Sequence, residues 1–280
     1  MSIATEIKDS FKFGSNLTKI IYINLAVFII YNLIKLAFFI GQSENPLIHY
    51  LAVPADILEL YRKPWTIFTY MFFHEEFLHI LFNMLWLYWF GIIFLEYLSQ
   101  KKLVGVYIMG GLSGAAFYII TFNTLGVFSE VRPISIALGA SASVLAIVIA
   151  ISTLKPNHVI NLMFIGAVKL KYLALFSVIL DIISIPSSNA GGHIAHLGGA
   201  LFGFLYIMAG KKDFDLIKPI TWILSLLTFD RKPKSKLKVN YRKSDMDYEY
   251  NKRKVEKHIG LDKILDKIAK SGYDSLSKEE

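Results

Sequence analysis

Ser141 and His196 are of types that do covalent chemistry, and both stand where polar side chains are rare. Ser141 follows Gly139 and Ala140, and His196 lies in the run His193-Ile194-Ala195-His196-Leu197-Gly198-Gly199; each cluster opens an apolar stretch. A hydroxyl or an imidazole at membrane depth costs free energy unless it has partners, and such residues usually face a cavity and act there. An imidazole within hydrogen-bond reach of a serine hydroxyl takes its proton and makes Oγ a nucleophile. A serine at a helix start also sits beside unpaired N–H groups and the positive end of the helix dipole, which suit a developing oxyanion. The competing readings are structural. Small residues with serine are common where membrane helices touch, and two histidines can cap a helix end at the interface.

His79 and Asn83 are four apart, so one helix face carries an imidazole above a carboxamide. They could donate two hydrogen bonds to an oxyanion, each such donor being worth roughly 3–4 kcal/mol in a known hydrolase. Alternatively they only tie their helix to its neighbours. His74, just before that helix, reads as structural or solvent-facing. His193 and His196 could ligate zinc, but no carboxylate or third histidine at suitable spacing completes a site, so no metal is expected. No Asp or Glu stands where a third member would be expected beside His196. Asp181 is at the outer end of its segment, and its side is unreadable, so a Ser141–His196 dyad is the expectation.

These residues need helices to hold them. The chain has 280 residues, 54% of them hydrophobic, with mean hydropathy +0.48. Apolar runs of about 17–25 residues mark membrane spans, and six are expected. They are Ile20–Ile40, Phe77–Leu98, Leu103–Phe122, Gly139–Leu154, Leu170–Pro186 and His193–Ala209. The fold class expected is an all-α, polytopic membrane protein, a six-helix bundle. The loop from Gly41 to Glu76 carries Leu47, Tyr50, Leu51, Leu60, Trp65 and Phe68, too much apolar surface for an aqueous loop, so it should lie in the interface beside the bundle. Residues Phe214–Phe229 read as an interfacial helix, and Leu261, Ile264, Leu265 and Ile268 as a short helical pattern near the end.

Charge gives the orientation. Lys8, Lys12 and Lys19 precede the first span; Lys101 and Lys102, then Lys155, Lys169 and Lys171, and finally Lys211 and Lys212 fall on one side. That places both termini in the cytoplasm. Net charge is +8, and residues 211–280 hold 18 Lys and Arg against 12 Asp and Glu, or +6 of it. The basic character belongs to the tail, and no nucleic-acid partner is expected. With no cysteine, disulfides, thiolate metal sites and a cysteine nucleophile are excluded. No n-region, h-region and cleavage site appears, so no cleavable signal peptide is expected. The expected division is a cytoplasmic segment over 1–19, a six-helix domain over 20–210, and a basic tail over 211–280.

Three of these clusters resemble the rhomboid family of intramembrane serine proteases. The matching pieces are His79-Ile-Leu-Phe-Asn83, Gly139-Ala-Ser141 and Ala195-His196-Leu-Gly-Gly199-Ala-Leu-Phe-Gly203, in the family's order and in the right spans. The resemblance covers roughly residues 20–210. It implies Ser141 as nucleophile and His196 as base. It also implies an oxyanion hole from His79, Asn83 and the Ser141 N–H, and a membrane-embedded first outer loop. The reaction implied is endoproteolysis of single-span membrane proteins near the outer face, with no cofactor and with the lipid bilayer as surroundings. A bacterial inner membrane is the implied location. Three positions depart from the family pattern: Ala142 replaces the usual Gly, Leu145 replaces an aromatic seen in some members, and Trp65-Thr66 stands where Trp-Arg is usual. The rival readings are a catalytically inactive relative that binds membrane clients, and a transporter using His and Asn as a proton relay. No inverted repeat supports the transporter.

Overall fold

The structure, a computed structural model, describes residues 3–162, 165–186 and 189–227, together with Ile264, Lys267 and Ser277. The chain divides into two units, Met1–Phe229 and Asp230–Glu280. In the second unit only Ile264, Lys267 and Ser277 are described. Ile264 is helical, and the rest of the helical pattern expected around it lies outside the described residues.

The first unit is helical with two small strand pairs. Helix α1 is Ile3–Phe13 and α2 is Asn16–Ile40, followed by the short α3 (Ile48–Leu51), strand β1 (Val53–Pro54), α4 (Ile57–Arg62) and α5 (Thr66–Thr69). Then come α6 (Phe77–Tyr97), α7 (Gln100–Thr124), β2 (Ile136–Ala137) and α8 (Ser141–Leu154). A hairpin of β3 (Val159–Leu162) and β4 (Gly166–Lys169) leads to α9 (Leu170–Ser184), α10 (Ala190–Gly210) and α11 (Lys218–Leu227). All six expected helices are present at the expected places. The interfacial segment expected over 214–229 is helical from Lys218, and α1 is an addition that composition did not announce.

Among the described residues, α2, α6, α7 and α10 are long and apolar enough to cross a membrane. Helix α8 is shorter, 14 residues, or about 21 Å against a hydrocarbon core of ~30 Å. It is also the best shielded: every residue from Ala142 to Ser152 is buried. Its neighbours α6, α7, α9 and α10 surround it. Helix α9 is 15 residues long and buries only Leu170, Ala174 and Asp181, while Tyr172, Leu175, Phe176, Ile179, Ile182 and Ile183 face outward.

Glycine sets how close these helices come. A Cβ at Gly199 would stand 2.1 Å from the Ala142 carbonyl oxygen, and one at Gly203 would stand 2.2 Å from that of Ala146. The small-residue stripe of α10 therefore lies directly on the α8 backbone. Gly114 of α7 faces Ala142 in the same way, its missing Cβ 2.6 Å from the Ala142 methyl. The extra methyl of Ala142 is accommodated against that bare glycine.

The loop between α2 and α6 does more than lie beside the bundle. Val53, Ala55, Tyr70, Met71 and Phe73 are buried, and β1 pairs antiparallel with β2, Val53 opposite Ala137 and Pro54 opposite Ile136. The Ala55 N–H donates to the Ser135 carbonyl at 3.0 Å. The loop is thus hydrogen-bonded to the segment that delivers Ser141.

Candidate active site

Ser141 is the first residue of α8, and no side chain caps that helix. The two residues before it are held from outside: the Gly139 N–H donates to the Tyr70 carbonyl at 2.9 Å, and the Ala140 N–H to His74 Nε2 at 3.2 Å. Val144 closes the first helical bond onto the Ala140 carbonyl. The N–H groups of Ser141 and the next two residues are the ones an α-helix leaves without an internal partner, and they lie at its positive end.

Gly139 has φ +118°, a region costly for a residue with a Cβ. A Cβ there would also lie 2.7 Å from His79 Cε1 and 2.8 Å from Nε2. The His79 ring is packed on this glycine, just ahead of Ser141 in the chain. Asn83 Nδ2 donates to the His79 carbonyl at 2.9 Å, which uses one of its two amide protons.

His196 Nε2 and Ser141 Oγ are 2.5 Å apart, so the expected pairing of these two residues is present. On its other side, His196 Nδ1 lies 2.8 Å from Asp181 Oδ1, and His193 Nδ1 lies 2.8 Å from the same oxygen. The expectation that no carboxylate stands beside His196 is therefore corrected: α9 turns Asp181 inward. Asp181 falls on the stripe of Leu170, Ala174 and Val178, the face of α9 toward the bundle. Because nearly all of α9 is apolar, periodicity could not mark that face. The signal available was the carboxylate itself, which needs a partner in such a segment.

Asp181, His193 and His196 also form a group with metal-ligand chemistry, their donor atoms all within 4.8 Å of one another. The donor set expected to be missing is thus complete in kind. The distances fit hydrogen bonding better. Both Nδ1 atoms sit 2.8 Å from one oxygen, whereas ligands on a tetrahedral zinc with bonds of about 2.0–2.1 Å stand roughly 3.3 Å apart.

His74, read from sequence as structural or solvent-facing, is structural: it is fully buried, beside the His79 ring at 5.1 Å between centroids. Burial pushes its imidazole pKa down to about 3, with His79 beside it contributing in the same direction. It is therefore neutral at ordinary pH, as an acceptor at Nε2 must be.

Ser141, His196, His79, Asn83, His193 and Asp181 open on one cavity of about 540 Å³. Its other walls are largely apolar, with Phe82 and Trp86 from α6, Val144 and Leu145 from α8, and Phe176 and Leu180 from α9.

A buried helix beginning on an uncapped serine, with a histidine bonded to that serine inside a multi-span helical bundle, defines a class of membrane protein. Residues 61–212 match the Rhomboid domain, more than half of the chain, and this protein belongs to the rhomboid family. It is similar to RHOMBOID-like protein 12, mitochondrial, of Arabidopsis thaliana. The two are 32% identical over 144 residues, 48% of this chain and 43% of that protein. It is also similar to presenilin-associated rhomboid-like protein A, mitochondrial, of Danio rerio, 29% identical over 148 residues, 50% of this chain and 36% of that one. The match spans less than half the length of either relative. Residues 244–280 match a family of unknown function, DUF6576.

Proposed function

We propose that the protein is an intramembrane serine endopeptidase that cleaves single-span membrane proteins. The observation that carries this reading is the 2.5 Å contact between Ser141 Oγ and His196 Nε2, inside a cavity walled by apolar side chains. As Oγ attacks a peptide carbonyl carbon, the Ser141 proton passes to His196 Nε2. The carbonyl oxygen, now negative, is stabilised by the Ser141 N–H with His79 and Asn83. Collapse breaks the C–N bond, and His196 returns the proton to the leaving amine. Water then attacks the acyl-enzyme, again losing its proton to His196, and regenerates Ser141. No cofactor takes part in these steps.

The apolar walls suit a transmembrane segment. Cleavage requires that segment to unwind locally, since an intact helix holds its carbonyls in i→i−4 bonds. The basic loops support a site facing away from the cytoplasm. For the compartment we propose a bacterial cell membrane, a reading that fractionation of the native protein tests; both relatives named above carry "mitochondrial" in their names.

The test is cleavage of a panel of single-span substrates in proteoliposomes by wild type, Ser141→Ala and His196→Ala. Cleavage by wild type alone is expected. Cleavage that survives Ser141→Ala contradicts the mechanism, and a wild type that binds but never cuts favours an inactive client-binding relative.

A further inference from the structure

The chemistry of Ser141 and His196 does not use Asp181, yet Asp181 is the carboxylate bound to His196. It is 7% exposed on a largely apolar helix, and an ionised carboxylate there is costly unless it is hydrogen-bonded or paired. Its Oδ1 meets two imidazoles, His193 Nδ1 and His196 Nδ1, both at 2.8 Å. To tie α9 to α10 structurally, the bond to His193 would suffice. The second bond falls on the imidazole whose far nitrogen meets Ser141. Three helices thus contribute one continuous line: Asp181 from α9, His196 from α10 and Ser141 from α8.

We infer that Asp181 is a positioning residue that converts the Ser141–His196 pair into a three-residue relay, with His193 anchoring the carboxylate. The inference rests on the protease reading above. Asp181 accepts the Nδ1–H of His196, which fixes the tautomer with a lone pair on Nε2, the atom that must receive the serine proton. When that proton arrives, Asp181 stays ionised and faces the imidazolium; it takes no proton itself. The His193 N–H holds the same oxygen in place, so the carboxylate does not swing away as charge develops. The other titratable groups lining the cavity are His79 and Glu76, in α6 and just before it.

The test compares wild type with Asp181→Asn, Asp181→Glu and His193→Gln, each checked for folding by thermal melting and gel filtration. Asp181→Asn is expected to lower kcat by on the order of 10²-fold or more, as loss of the carboxylate does in serine proteases, with KM nearly unchanged. Asp181→Glu should recover at least part of that loss. In [15N]histidine-labelled protein, wild type should show a downfield, slowly exchanging His196 Nδ1–H resonance. It should persist in His193→Gln and vanish in Asp181→Asn. A folded Asp181→Asn with wild-type kcat overturns the inference while leaving the protease reading intact. So does an unchanged His196 resonance, or a kcat that falls only as far as the folded fraction falls. If wild type cleaves nothing, the protease reading fails and the resonance decides: its loss in Asp181→Asn supports the orienting bond, and its persistence overturns it.

Discussion

His74 Nε2 accepts the backbone N–H of Ala140, the residue immediately before Ser141, at 3.2 Å. The bond reaches from the loop before α6 to the start of α8, and with the Tyr70 carbonyl on Gly139 it pins both residues that precede the serine. It exists only while His74 is neutral.

A pH dependence of stability follows. Folding pushes the His74 pKa down to about 3, against about 6.5 in an unfolded chain. Between those values the unfolded chain binds the extra proton, so stability is intact above about pH 6.5 and falls as pH drops toward 3. Melting temperatures in detergent at pH 7, 5.5 and 4 should fall steeply for wild type and less steeply for His74→Gln. Parallel curves for the two proteins would contradict this.

The α8–α10 contact predicts a second outcome. A Cβ at Gly199 would meet a backbone carbonyl at 2.1 Å, and backbone cannot swing aside as a flexible side chain does. Gly199→Ala should cost about 2 kcal/mol or more and lower cleavage by displacing His196 on the same helix. Gly210→Ala, with nothing within 4 Å, should change stability little. Unfolding in a denaturing detergent titration reads both, and equal stability of the two variants would contradict the packing described.

Much of this fold is legible in the sequence, but not all of the site. Helices α2, α6, α7 and α10 can be read because their apolar runs match the ~30 Å of a bilayer core, and the shorter α8 and α9 because their apolar runs are bounded by charges. Ser141 and His196 stand out because polar atoms at such depth need a reason. The partner of His196 does not. Helix α9 is apolar almost all round, so no stripe reveals which way Asp181 faces. Nor can local pattern show Val53 of β1 meeting Ala137 of β2, since a pairing between segments so far apart along the chain is tertiary. The role of His74 is hidden for the same reason: its partner, Ala140, is 66 residues away.

The oxyanion role proposed for His79 and Asn83 gives a third prediction. His79→Ala and Asn83→Ala should each lower kcat by roughly 10²–10³-fold with modest change in KM. His79→Ala should have the larger effect, because it also removes the ring packed on Gly139. Cleavage kinetics with a soluble-tagged transmembrane peptide read this. Wild-type kcat in both variants would remove these residues from the mechanism.

The hydrogen-bonded reading of Asp181, His193 and His196 predicts that EDTA leaves cleavage unchanged. Activity that is lost on chelation and restored by zinc would replace that reading with a metal centre built from the same three side chains.

The most direct measurement is the reaction of a fluorophosphonate with the purified protein, with the adduct located by mass spectrometry. A nucleophilic Ser141 activated by His196 predicts one adduct, on Ser141, absent in His196→Ala although that variant remains folded. An adduct instead on Ser143, the buried serine two residues further along α8, or none on a folded wild type, would contradict the proposed mechanism.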